Sequence, residues 1–308
     1  MFEEIIVNQF LQSFSFPILD VLFKLITYFG NPLPWFIIAA WLFWAGYEKK
    51  SFTLMTILLF SSIASGTLKQ IIARPRPTGL IVLDDLVGYS MPSGHSTLAG
   101  TIAGYAYFSN WIKKQFKWTI LILAILTGVS RLYLGVHYIS DVLAGLLLGA
   151  ILGWSISKLE TKINKTNFHI SKLKEEALLV GFFVLMIVSN IFIPEEYYGA
   201  YAILGYFIGY AIFRHTNLKQ TLTLTKSKTQ LFIAFFFGTA IFGVLGASAY
   251  YLTNGLISQI LFFVAGIFIT LIWPIVISFT VNKRETQKEV QTRNSKKRVI
   301  FKAKKVKK

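Results

Sequence analysis

Cysteine is absent from all 308 residues, which excludes disulfides, thiol catalysis and thiolate metal sites whatever the redox compartment. Histidine is scarce, and imidazole chemistry is confined to His95, His137, His169 and His215. Carboxylates are few: 14 Asp and Glu stand against 31 Lys and Arg, a formal net charge of +17. No internal repeat relates the halves of the chain. The opening "MFEEIIVNQF" begins with acidic residues and lacks a basic region followed by a compact apolar core. It is not expected to be a cleaved signal, and the first membrane segment is expected to direct insertion itself.

What the chain has in abundance is apolar surface, 54% hydrophobic and 16% aromatic residues. Its apolar runs recur near the ~20 residues that a helix needs to cross a bilayer. Runs at 32–47, 52–73, 96–112, 118–134, 138–157, 177–193, 198–213, 231–252 and 256–281 predict nine spans. Before them, "FPILDVLFKLITYFG" is short and holds Asp20 and Lys24, which predicts an amphipathic helix at the interface, with a short tenth span as the alternative. The expected fold is an all-α, polytopic transmembrane helix bundle of about nine spans plus this N-terminal interfacial helix. Composition divides it into an N-terminal amphipathic segment (1–31), a helical domain holding every motif below (32–158), a polar linker (159–176), a four-span membrane domain (177–281) and a basic tail (282–308).

Basic residues at 48–50, 113–117, 158–174, 214–228 and in the tail all fall on one side of a nine-span layout, which predicts that side to be cytoplasmic. The tail carries twelve Lys or Arg against two Glu and is expected to meet anionic lipid; no nucleic-acid partner is expected. One loop breaks the pattern. "KQIIARPRPTGLIVLDDLVGYSMPSGH" carries Lys69, Arg74 and Arg76 to the extracytoplasmic side, where Arg131 and His137 also fall. Ionisable groups at such positions are costly and point to function.

Three stretches therefore converge at one membrane face: "KQIIARPRP", "PSGH" and "SRLYLGVHYISD". Lys69, Arg76 and Arg131 supply fixed positive charge, and Arg forms paired hydrogen bonds with phosphate oxygens. Ser93 and Gly94 precede a helix start, where free N–H groups favour an anion. His137 and Asp141, at i and i+4, share a helical face, so the carboxylate can hold one ring nitrogen and leave the other as a nucleophile. His95, from another span, is then free to protonate a leaving oxygen. Taken singly, "PSGH" is a capped helix start, "RPRP" a basic turn, and His137 with Asp141 a structural or ion-conducting pair; these separate readings do not explain the joint placement. His169 and His215 read as solvated loop residues, and Asp84 and Asp85 as loop caps or substrate contacts.

These residues resemble the type 2 phosphatidic acid phosphatase superfamily, whose pattern is K-x6-RP, then PSGH, then SR-x5-H-x3-D. Lys69 with Arg76 and Pro77, the run from Pro92 to His95, and Ser130, Arg131, His137 and Asp141 match it without a substitution and in order. The resemblance covers about the N-terminal half. It implies a metal-independent membrane lipid phosphatase without cofactor, acting on polyprenyl diphosphate, phosphatidylglycerol phosphate or phosphatidate. His137 would be the nucleophile, Asp141 its orienter and His95 the acid, with Lys69, Arg76, Ser93, Gly94 and Arg131 binding phosphate. Lipid phosphotransfer on the same scaffold is the alternative, and a transporter or flippase a more distant one. The four later spans have no counterpart in compact six-helix members.

Overall fold

A computed structural model of the chain describes residues 2–84, 88–165, 181, 198–216, 228–251 and 255–278. Asp85, His169, most of the expected linker, the expected span at 177–193 apart from Gly181, and the basic tail lie outside the described residues. Every regular element among the described residues is helical: α1 (Phe2–Gln12), α2 (Pro17–Thr27) closing in a 3-10 turn (Tyr28–Gly30), α3 (Pro32–Trp44), α4 (Glu48–Ile72), α5 (Gly94–Phe108), α6 (Lys114–Tyr133), α7 (Ile139–Lys165), α8 (Tyr198–Arg214), α9 (Lys228–Tyr251) and α10 (Gly255–Ile267), which runs on through a π-helical turn (Phe268–Ile272). Two compact units form, Met1–Ala40 with Lys49–Leu204, and Trp41–Glu48 with Gly205–Lys308.

Among the described residues four helices are long and apolar enough to cross a membrane: α4, α6, α7 and the segment Gly255–Ser278. The stretch expected as an interfacial helix forms α2 and its 3-10 turn, preceded by a separate helix, α1. The segments Pro17–Gly30 and Pro32–Trp44 meet at a bend of 52° and count as a fifth span only if the bent pair is taken as one. Asp20, taken from the sequence as a sign of an interfacial helix, hydrogen-bonds the Tyr133 hydroxyl and accepts from Ser15 Oγ at 2.9 Å. The run expected as a span at 96–112 is a helix of 15 residues, buried on every side from Ser96 to Ala106. A helix surrounded by others has no lipid face to match, which removes the length requirement.

Within the first unit, α5 packs most closely on α7. Gly145, Gly149 and Gly153 line one stripe of α7. A Cβ on Gly149 would stand 2.2 Å from the Thr97 carbonyl oxygen, and one on Gly153 as close to that of Thr101. Lipid tails are as apolar as leucine, so association inside a membrane relies on such small residues to bring backbones together. Polar contacts lock the register: Ser61 Oγ lies 2.9 Å from Thr101 Oγ1, joining α4 to α5. Helix α1 lies against α6 and α7 and turns Glu4, Asn8 and Gln12, four residues apart, toward them.

The second unit is held by aromatic packing. Phe43 meets Tyr206, Tyr210 and Phe213 edge-on, and Trp44 Nε1 donates to the Ile269 carbonyl at 2.9 Å. Arg214 and His215 stand at the end of α8.

Gly149→Leu should be among the most damaging single changes in the first unit. Overpacking a core costs about 1–3 kcal/mol, and here the obstacle is backbone, so thermal unfolding in detergent is expected to show a loss at or above the upper end. Gly246→Ala in α9, where a Cβ meets nothing within 4 Å, is expected to be neutral or stabilising by up to ~1 kcal/mol.

Candidate active site

Helix α6 ends at Tyr133, and Gly135 at φ +77° turns the chain out of it, a conformation that glycine adopts without strain. That turn returns His137 beneath the last turn of α6 just before α7 begins. Asn8 secures it: its fully buried amide donates to the carbonyls of Leu132 at 2.8 Å and His137 at 3.0 Å. Gln12 does the same for Tyr133 and the 81-residue loop, donating to Tyr133 O at 2.9 Å and Ile81 O at 2.7 Å.

His137 and Asp141 are both buried. His137 Nδ1 faces Asp141 Oδ2 at 3.5 Å and makes no hydrogen bond among the described residues. Long contacts of this kind are common in ligand-free sites and tighten when charge develops. On the other edge of the ring, Arg76 Nη1 stands 3.4 Å from Nε2. A guanidinium cannot accept a hydrogen bond, so Nε2 carries the lone pair there and the ring proton sits on Nδ1, toward the carboxylate. Burial first, then the charges of Arg131, Arg76 and Lys69, push the imidazole well below the ordinary histidine range and keep it neutral near pH 7.

The other expected residues gather around it. Arg76 is tied by Nε to Gly88 O and by Nη1 to Val136 O, each at 3.0 Å. Lys69, in the last turn of α4, donates to Tyr89 O at 2.6 Å. Arg131 is fully buried; Nη1 donates to Thr27 Oγ1 at 2.7 Å, Nη2 pairs with Asp84 at 2.8 Å, and Nε has no partner among the described residues. Ser93 caps α5, accepting from Ser96 N at 3.4 Å, while its own amide donates to Asp141 O at 3.0 Å, so the "PSGH" helix start is bonded directly to the His–Asp turn. Gly94 opens α5 with only Ser65 Oγ near the position of a Cβ, at 3.8 Å. His95 follows one residue on, within electrostatic reach of Arg131, His137, Lys69 and Arg76. Its backbone is approached so closely by Gly30 that a Cβ there would stand 2.6 Å from the His95 carbonyl oxygen.

All eight residues expected from the motifs therefore share one neighbourhood, built from α4, α5, α6, α7 and the 73–93 loop. His215 lies at the end of α8 in the other unit. Sequence reasoning did not single out Glu4, Asn8 or Gln12. The signal was present as a polar stripe at i, i+4 and i+8 of an otherwise apolar "FEEIIVNQFLQ". Arg74 was noticed only as a misplaced charge.

Residues 50–165 match the family model described as the PAP2 superfamily. Phosphatidylglycerophosphatase B of Bacillus subtilis is 34% identical over 139 residues, 42% of this chain and 67% of that protein. Lipid A 4'-phosphatase of Porphyromonas gingivalis is 30% identical over 168 residues, 48% of this chain and 69% of that protein. An undecaprenyl-diphosphatase of Sulfolobus acidocaldarius is 29% identical over 164 residues, 51% of this chain and 76% of that protein.

Asp84 neutralises a guanidinium that is otherwise sealed from water, and a buried charge stripped of its partner is destabilising. Asp84→Asn is therefore expected to melt at a lower temperature than the parent protein. Added inorganic phosphate or vanadate, a tetrahedral anion that can take the vacated side of Arg131, should raise the melting temperature of the variant by more than that of the parent. Equal shifts would show that Asp84 and the anion do not compete for Arg131.

Proposed function

Because this chain belongs to the PAP2 superfamily, we propose that it is a multi-pass membrane phosphatase that hydrolyses a lipid phosphate or diphosphate through a phosphohistidine intermediate. The observation that carries this reading is the His137 imidazole. Its proton faces a carboxylate, and its Nε2 lone pair opens toward Arg76 within a cluster of positive charges. A neutral nucleophile aimed into a cationic pocket suits attack on a phosphate dianion, whose charge the pocket offsets.

In the proposed sequence Lys69, Arg76, Arg131 and the Ser93 and Gly94 segment grip the phosphate oxygens. His137 Nε2 attacks phosphorus as the bond to the lipid oxygen breaks, and His95 passes a proton to that oxygen. Asp141 stabilises the positive charge that appears on the imidazole. Water, giving its proton back to His95, then attacks the phosphohistidine, releasing phosphate and restoring His137. The basic loops support a site facing the extracytoplasmic side with a cytoplasmic C-terminus, and the tail at 282–308 supports contact with anionic lipid. Within the substrate class we favour polyprenyl diphosphate, because "GYSMPSGH" resembles bacterial members with that role.

Purified in detergent without added metal and offered polyprenyl diphosphate, phosphatidylglycerol phosphate and phosphatidate, the protein should release free phosphate, fastest from the first. His137→Ala should lower the rate by at least about 10³-fold, as loss of a covalent nucleophile does. Undiminished release by that variant sinks the mechanism, and label recovered in a lipid product rather than in phosphate would make the protein a transferase.

The pH profile gives an independent check. Protonation of His137 removes the lone pair, so kcat/KM, which reports the free enzyme, falls as pH drops through a lowered histidine pKa. The acid limb is expected below the ordinary histidine value of about 6.5.

A further inference from the structure

The two oxygens of Asp141 have separate duties. Oδ2 accepts from the Tyr138 backbone N–H at 2.9 Å and faces His137, while Oδ1 accepts from Arg74 Nη1 at 2.8 Å. Arg74 stands outside the motif set, two residues before Arg76. Its guanidinium lies over the Tyr138 ring, 4.0 Å from the centroid, and Nη1 also reaches Ser140 Oγ at 2.5 Å. Its far end, Nη2, pairs with Glu4 Oε1 of α1 at 2.9 Å. Glu4 Oε2 in turn accepts from Ser140 Oγ at 2.6 Å and Ser140 N at 3.2 Å.

We propose that Arg74, held from behind by Glu4, is the positioning residue for Asp141, and that α1 is thereby part of the reaction apparatus. The inference rests on the reading of His137 and Asp141 as nucleophile and orienter. With one terminal nitrogen on each of two carboxylates, the Arg74 guanidinium has its charge matched already and is not a phosphate ligand. It holds Oδ1, which leaves Oδ2 turned to the imidazole. Glu4, Arg74 and Asp141 alternate in charge along one line that runs from α1 to the His137 imidazole.

Arg74→Gln is expected to lower kcat by about 10- to 100-fold, the range seen when an outer-shell partner of an active-site group is lost, with KM little changed. Arg74→Lys keeps the charge but cannot reach both carboxylates, so it should fall in kcat as well while folding as the parent does. The decisive measurement combines Arg74→Gln with Asp141→Asn: a residue acting through Asp141 adds nothing once that carboxylate is gone. Glu4→Gln should reproduce part of the kcat loss. A raised KM at constant kcat would make Arg74 a substrate ligand, multiplicative losses in the double variant would make it independent of Asp141, and a lower melting temperature with intact kcat would make it structural; each overturns the inference. None of these touches the nucleophile assignment, which fails only if His137→Ala stays active.

Discussion

Because Gly145, Gly149 and Gly153 present no side chain, α7 lies against α5 at backbone distance, and this contact carries the Ser93 amide to the Asp141 carbonyl. The start of α5 and the start of α7 are thus bonded to each other rather than merely adjacent. A few tenths of an ångström at the seam would be felt at His95 and His137, since the two helices deliver those residues from the same pair of ends. The rest of the bundle serves the seam: Gly30 lets the 3-10 turn close over His95, and Ser61 pins α4 by its contact with Thr101.

The electrostatics follow from how the cations are satisfied. Lys69 and Arg76 spend their hydrogen bonds largely on backbone carbonyls, those of Tyr89, Gly88 and Val136. Arg74 and Arg131 each face a carboxylate: the partner of Arg131, Asp84, sits on a half-exposed loop, whereas Arg74 is matched by the buried Asp141 as well as by Glu4.

Much of this was legible in the chain itself. The spacing of Lys69, Arg76, Ser93, Gly94, His95, Arg131, His137 and Asp141, and the apolar runs around them, sufficed to bring them to one face. Chemical type and local periodicity carry that information: a buried charge is rare, and a helical repeat says which residues share a side. That α5 is enclosed by its neighbours was not legible, because hydropathy cannot tell a lipid-facing helix from a buried one. The bond between Asp20 and Tyr133 could not be read from the sequence, because the two lie far apart along the chain.

By itself the sequence determined the helical class, the membrane setting and which ionisable residues stand out, since these depend on residue type and on neighbours within a turn or two. Only the tertiary structure decided that α1 enters the site, that Asn8 holds the His137 turn and that Arg74, not Arg76, faces Asp141. Those choices rest on hydrogen bonds between residues as much as 136 positions apart. Such contacts exist only once the helices have packed, and their geometry is set by how closely glycine allows two backbones to approach.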